Sequence, residues 1–314
     1  MVAVLRIVFF GTPEFAVPTL DALLQSTHQV VGVVTQPDRP RGRGQRTSEA
    51  PVKVRSLEAG VPVLQPERLR DPAFTAALAG LRADLGVVAA YGKILSEGVL
   101  ATPRLGMINV HASLLPRYRG AAPVHRAIIQ GERETGITIM RVVKALDAGP
   151  MLATSRRAID PEETSEEVER DLASIGAELA LETIGRLAAG TACEIPQDES
   201  QATYAPRLTK DEGHVDWTQP ADAVHNLIRG LQPWPRASTF HHGSRLILLR
   251  SRRVAANGRP GTILEATDDV LRVAAGEGAI DILEIQPEGK RAMNPRAFLA
   301  GHRTAVGDSF TRHP

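Results

Sequence analysis

Cysteine is almost missing from this sequence. Cys193 stands alone among 314 residues, so no intrachain disulfide closes and no cysteine-based zinc site forms. A reducing compartment is expected. Aromatic residues are few (7 Phe, 2 Trp and 3 Tyr), which argues against an extended stacking surface for single-stranded nucleic acid. Lysine is scarce as well: 5 Lys stand against 32 Arg, a bias that fits either genome composition or a use of forked anion-binding side chains. No long hydrophobic run occurs. The apolar opening VAVLRIVFF carries Arg6, lacks a small-residue cleavage site and is too short to span a bilayer, so it reads as a buried first strand. No targeting segment, no membrane partner and a cytoplasmic location are expected. Neither sign of charge dominates, since 37 Lys+Arg face 36 Asp+Glu. With 43% hydrophobic and 23% charged residues, disordered, collagen-like and membrane-spanning chains are excluded, and the length suits one large or two modest domains.

What is present is an alternation of short apolar runs with helical patterns. Residues 5–10 (LRIVFF), 30–34 (VVGVV), 85–90 (LGVVAA), 107–110 (MINV) and 137–143 (ITIMRVV) read as strands apolar on both faces. A helical pattern covers 15–24, and Pro51 and Pro72 each sit where a first helical position belongs. Strands of this kind separated by helices imply an α/β domain with a doubly wound, mostly parallel, Rossmann-like sheet and right-handed crossovers. Residues 164–187 read as one long helix, with Thr164 and Glu167 as a capping box and Gly190 as its stop. A polar, non-periodic stretch follows. After it come short paired strands at 245–249, 261–264, 270–274 and 280–285, separated by Gly-Pro and Asp-Asp turns. The expected organisation is a first domain over 1–189, a linker over 190–206 and a small β-rich, barrel-like domain over 207–314.

Charge divides unevenly between these parts. Residues 1–206 carry 22 Lys+Arg and 24 Asp+Glu, net −2, while residues 207–314 carry 15 and 12, net +3. A denser feature is DRPRGRGQR at 38–46, with Arg39, Arg41, Arg43 and Arg46 among two glycines and a proline. It reads either as a solvated loop or as one that orders on phosphate, because Arg forks match phosphate oxygens and Gly lets backbone approach closely.

The turn after the first strand, Gly11-Thr12-Pro13-Glu14, lacks the spacing of a dinucleotide fingerprint and sets an acid where a pyrophosphate would sit. A nucleotide-cofactor oxidoreductase is therefore disfavoured. Chemistry concentrates instead in GMINVHASLLPRYRGAAP at 106–123. Asn109 and His111 fall on one face at the carboxyl end of a strand, where open α/β sheets bind their ligands. An amide donor beside an imidazole suits stabilising an oxyanion while a proton is handled, although a cap and a packing residue remain the plainer reading of the same pair. Asp147, in the Gly/Pro-rich loop ALDAGP, is placed to fix the tautomer of His111 if it reaches the ring. Ser113 has no evident base, and Cys193 lies away from any strand end. What remains is group transfer in which a substrate amine attacks. A catalytically silent RNA-binding module also stays open on these residues.

These motifs resemble those of the methionyl-tRNA formyltransferase family along nearly the whole chain. RIVFFGTPEFAVPTL resembles its first strand and turn, TQPDRPRGRG its inserted basic loop, INVHASLLPRYRGAAP its formyltransferase signature and LDAGPML its aspartate loop. YAPRLTKDEGHVDW and LQPWP resemble the start of its C-terminal domain. Ala148 stands where many members carry Thr. The resemblance implies transfer of a formyl group from 10-formyltetrahydrofolate to the amino group of methionyl initiator tRNA. Asn109, His111 and Asp147 would be catalytic and Ser113, Leu114, Leu115 and Pro116 the folate-binding loop, with a cis bond at Leu115-Pro116. Arg43 would enter the acceptor end of the tRNA while Arg39, Arg41 and Arg46 grip phosphates on a loop mobile without tRNA. No metal is expected, and the protein is expected to be a monomer. A formyltransferase acting on an amino-sugar nucleotide or a purine precursor would share the trio but not require the basic loop.

Overall fold

The run RIVFFG, buried at all but its first position, forms β1 (Arg6–Gly11) in the computed structural model, which describes residues 3–41 and 46–313. The chain continues through α1 (Val17–Gln25), β2 (Gln29–Val34), β3 (Arg39–Arg41), β4 (Arg46–Ser48), α2 (Pro51–Glu58), β5 (Val63–Leu64), α3 (Pro72–Gly80), β6 (Leu85–Ala89), α4 (Glu97–Leu100) and β7 (Met107–His111). Then come β8 (Arg119–Gly120), α5 (Pro123–Ile129), β9 (Glu134–Arg141), β10 (Met151–Ala158), α6 (Ser165–Ala189) and β11 (Tyr204–Ala205). The remainder comprises α7 (Ala221–Gly230), β12 (Ala237–His241), β13 (Ser244–Val254), β14 (Ile263–Thr267), β15 (Val270–Ala274), β16 (Ala279–Pro287) and α8 (Pro295–Gly301). Two compact units share these elements: Met1–Pro123, Thr135–Arg157 and Glu169–Ala205 form one, and Val124–Glu134, Ala158–Val168 and Pro206–Pro314 the other.

The first unit is built on a sheet of order β10-β9-β7-β6-β1-β2-β5. β5, β2, β1, β6 and β7 are mutually parallel, and strand order reverses between β1 and β6, the doubly wound arrangement expected. Phe10, Val34, Leu78, Tyr91 and Val99 pack one apolar layer beside it. Helix starts follow the sequence: Pro51 and Pro72 open α2 and α3, and the Asp71 carboxylate caps α3 by accepting the Ala73 N–H at 2.9 Å. β9 runs antiparallel to β7, an exception within the mostly parallel sheet expected. Apolarity on both faces encodes burial and carries no strand direction. β10 carries no apolar run because its accessible positions include the polar Thr154 and Arg156, on an alternating edge. The 38–46 stretch, expected as a loop, contributes the antiparallel ribbon of β3 and β4, with Arg39 opposite Ser48 and Arg41 opposite Arg46.

In the second unit, five antiparallel strands run in the order β12-β13-β16-β15-β14. The two edge strands do not remain open. Phe240 of β12 bridges Thr311, and Thr262, just before β14, bridges Ser309. One C-terminal segment thus joins both edges and closes the sheet into the barrel-like form expected. Trp217, Ile228, Leu248, Val273, Ile282 and Phe298 fill it. Among the described residues no helix is long and apolar enough to cross a membrane.

Candidate active site

Strand β7 delivers His111 to the carboxyl edge of the parallel sheet, with Thr138 of β9 as its cross-strand partner. Asn109, two residues earlier on the same face, is half-buried and lies between Val88 and Met140. The imidazole of His111 is only 5% exposed. Its Nε2 lies 3.0 Å from the Tyr118 carbonyl. A carbonyl only accepts, so Nε2 carries the donated hydrogen and Nδ1 is the nitrogen turned toward Asp147. Asp147 Oδ2 is 3.7 Å from Nδ1, within ion-pair range and beyond a direct hydrogen bond. The same oxygen accepts the Gly120 N–H at 2.9 Å, which aims the carboxylate. Residues 36 positions apart in the sequence therefore meet at one point.

Glycine is required at two places around this point. Gly120 adopts φ +124°, and a Cβ there would lie 2.7 Å from the Ala205 carbonyl oxygen. A Cβ on Gly149 would fall 1.9 Å from the Arg141 carbonyl oxygen, so the Asp147 loop runs against β9 with no room for a side chain.

The loop Ser113-Leu114-Leu115-Pro116 leaves the strand directly after His111. Its Leu115-Pro116 bond is cis, as the resemblance implied. Thr138 Oγ1 donates to the Ser113 carbonyl at 2.7 Å and accepts the Leu115 N–H at 3.1 Å, tying the loop to β9. Ser113 Oγ is spent on the Arg117 carbonyl at 2.6 Å and is no nucleophile. Leu115 is buried, whereas Leu114 and Pro116 are half-buried and retain exposed apolar surface. Nearby, the loops after β1, β2 and β6 are laced together, because Thr12 Oγ1 and Gln36 Nε2 both donate to the Tyr91 carbonyl. Burial pushes the Tyr91 phenol up to about 12, which removes it from proton handling near neutral pH.

Of the four arginines expected to meet tRNA, Arg39, Arg41 and Arg46 stand on the β3–β4 ribbon, apart from the trio in sequence. Arg43, and with it the expected mobility of its loop, lies outside the described residues. The ribbon's base is anchored: Asp38 pairs with Lys53 and accepts from Gln65 Nε2 at 2.9 Å. The Lys53 bond holds the Asp38 carboxyl below its usual range. Sequence reasoning missed the groups that hold the trio in place. Arg119 is 2% exposed and bonded to Gln197 and Glu199; the Glu199 bonds raise its guanidinium above the ordinary value. Arg119 lies inside the signature loop and was open to suspicion, but Gln197 sits in a polar stretch whose pattern announces nothing.

A paired imidazole and carboxylate at the carboxyl edge of a doubly wound sheet have the form of a group-transfer site. Residues 5–184 match the family model described as formyl transferase, and 207–303 match that of the formyl transferase C-terminal domain. The methionyl-tRNA formyltransferase of Caldanaerobacter subterraneus subsp. tengcongensis is 48% identical over 306 residues, covering 96% of this chain and 99% of that one. That of Solibacter usitatus is 47% identical over 308 residues, covering 98% of each. This chain belongs to the methionyl-tRNA formyltransferase family. Among solved structures, the N-formyltransferase of Helicobacter canadensis, in complex with folinic acid and dTDP-3-aminofucose, shares the fold at TM-score 0.68 and 16% identity, covering 90% of this chain and 99% of that one. HypX of Aquifex aeolicus in complex with tetrahydrofolic acid does so at TM-score 0.67 and 18% identity; this chain is covered to 98% and spans 49% of HypX.

Proposed function

We propose that this protein transfers the formyl group of 10-formyltetrahydrofolate to the amino group of methionyl initiator tRNA, with Asn109, His111 and Asp147 carrying the chemistry. One observation supports this most directly: His111 Nδ1 and Asp147 Oδ2 face each other at 3.7 Å on the sheet edge. As the substrate amine attacks the formyl carbon, negative charge grows on the formyl oxygen. The Asn109 amide donates to that oxygen, and Nδ1 of His111 does so once it has taken the proton of the attacking amine; each such donor typically lowers a barrier by about 2.7–4 kcal/mol. The attacking nitrogen must lose a proton, and N10 of the folate must gain one as its bond to the formyl carbon breaks and the carbonyl re-forms. Nδ1 of His111 is free to carry it, because Nε2 is committed to the Tyr118 carbonyl. The fixed Asp147 carboxylate stabilises the charged ring while the proton is in transit.

Ser113, Leu114, Leu115 and Pro116 form the folate-binding loop in this reading, with Leu114 and Pro116 offering apolar surface. Arg39, Arg41 and Arg46 meet tRNA phosphates, and Arg43 enters the acceptor end. The catalytic part extends over 1–189, residues 190–206 connect it to a tRNA-binding part over 207–314, and the protein works in the cytoplasm as a monomer. The deciding experiment supplies 10-formyltetrahydrofolate with either charged initiator tRNA or an amino-sugar nucleotide. Formylation of the tRNA alone is expected; formylation of the sugar alone would overturn the assignment.

A further inference from the structure

The segment 197–205, read from the sequence as part of a linker, is fastened to both loops that hold the trio. Gln197 Nε2 donates to the Asp147 and Gly149 carbonyls, each at 2.8 Å. Its Oε1 accepts from Arg119 Nε at 3.0 Å and Nη2 at 2.7 Å. Two further guanidinium contacts reach Glu199 at 2.9 and 2.8 Å. Further along, Thr203 Oγ1 accepts the Tyr118 N–H at 2.9 Å and the Thr203 carbonyl accepts the Arg119 N–H at 2.8 Å. Tyr118 is the residue whose carbonyl takes the hydrogen of His111. One short stretch therefore grips the acceptor loop of the histidine and the loop of the aspartate together.

Such a grip answers a conformational need. Tyr118 and Asp147 both adopt positive φ, +60° and +47°, without being glycine. Side-chain-bearing residues persist there only where their surroundings over-determine them. The orientation of the Gln197 amide is also forced. Turned over, it would set its oxygen against two carbonyl oxygens and its NH2 against a guanidinium.

We propose that Gln197 is a positioning residue for formyl transfer, using its two donated hydrogen bonds and its Arg119 partner to fix the Asp147 carboxylate beside His111. The role rests on the catalytic reading above and deepens it: residues 197–205 work as a brace for the site.

Gln197→Glu isolates the donated bonds, since it keeps the size and the Arg119 partner but replaces the donor with an oxygen facing two carbonyls. Formylation of charged initiator tRNA is measured for the wild type, Gln197→Glu, Gln197→Ala, Asp147→Asn and the Asp147→Asn/Gln197→Glu double variant. Both Gln197 variants are expected to lose about 10- to 100-fold in kcat, the range that partners holding a reacting group cost elsewhere, with KM for tRNA and formyl donor unchanged. The double variant should be no slower than Asp147→Asn, because a brace has no effect once the group it aims is neutralised. A wild-type kcat in Gln197→Glu, or losses that multiply in the double variant, overturns the positioning role alone. A wild type that transfers no formyl group overturns the catalytic reading and this role with it.

Discussion

At His111 one ring nitrogen is committed and the other is free to work. The Tyr118 carbonyl at 3.0 Å uses Nε2, so only Nδ1 can exchange a proton with a substrate while remaining near Asp147. His111→Ala is expected to lower kcat by 10²- to 10³-fold, the usual cost of one transition-state donor, with tRNA affinity retained. Steady-state formylation paired with filter binding checks this, and a matching loss of tRNA affinity would remove His111 from the chemistry. Gly149→Ala tests the other side of the pair. Its Cβ would stand 1.9 Å from backbone, so the Asp147 loop must shift. A fall in both kcat and melting temperature is expected, and a fully active, fully stable Gly149→Ala would show that the loop tolerates displacement.

Elements differ in how openly the sequence declares them, and α6 is the clearest. Thr164 followed by Glu167 forms the capping box expected: the Thr164 N–H donates to Glu167 Oε2 at 2.8 Å and the Glu167 N–H returns a bond to Thr164 Oγ1 at 3.3 Å. The Thr164 amide, aided by Arg250 at 2.6 Å, brings the Glu167 carboxyl down to about 2. A carboxylate depressed in the folded state contributes stability that is complete above its ordinary value near 4.5 and disappears as pH falls toward 2. Glu167→Gln is accordingly expected to be less stable than wild type at neutral pH and to lose less stability between pH 4.5 and 2. Denaturant midpoints across that range measure it, and parallel slopes would contradict the assignment. Thr164→Ala should cost about 1 kcal/mol at neutral pH. Strands β1, β2, β6 and β7 were equally legible, because a central strand is apolar on both faces whatever its neighbours are. The direction of β9 was not legible, since pairing partners 27 to 33 residues apart leave no trace in periodicity. β10 was missed because polar residues occupy its open face. At the site, the strand-end rule alone located Asn109 and His111. Asp147 could only be nominated from its loop, and Gln197 not at all, since a side chain that bonds distant backbone carbonyls imposes no pattern on its own segment.

Across the whole molecule the charges balance to +1, yet a tRNA substrate must be held against its own repulsion from the 36 acidic residues. In the proposed reading two features serve this. Residues 207–314 carry a net +3, and the ribbon of β3 and β4 concentrates Arg39, Arg41 and Arg46 on one short hairpin whose base is pinned by the Asp38–Lys53 pair. The preference for Arg over Lys suits phosphate, since a guanidinium fork takes two oxygens at once. Every phosphate neutralised releases condensed counterion, so affinity should fall linearly with salt on logarithmic axes, by a slope of about 0.7–0.9 per contact. Replacing Arg39, Arg41 and Arg46 together with alanine is therefore expected to flatten that slope by about 2 to 3, weaken binding at low salt, and leave kcat at saturating tRNA near the wild-type value. Arg43→Ala should instead lower discrimination between initiator and elongator tRNA while changing the slope by about one contact at most. Binding titrations from low to moderate salt, run with both tRNAs, separate the two effects. An unchanged slope in the triple variant would move the phosphate contacts off the ribbon and onto the basic excess beyond residue 206.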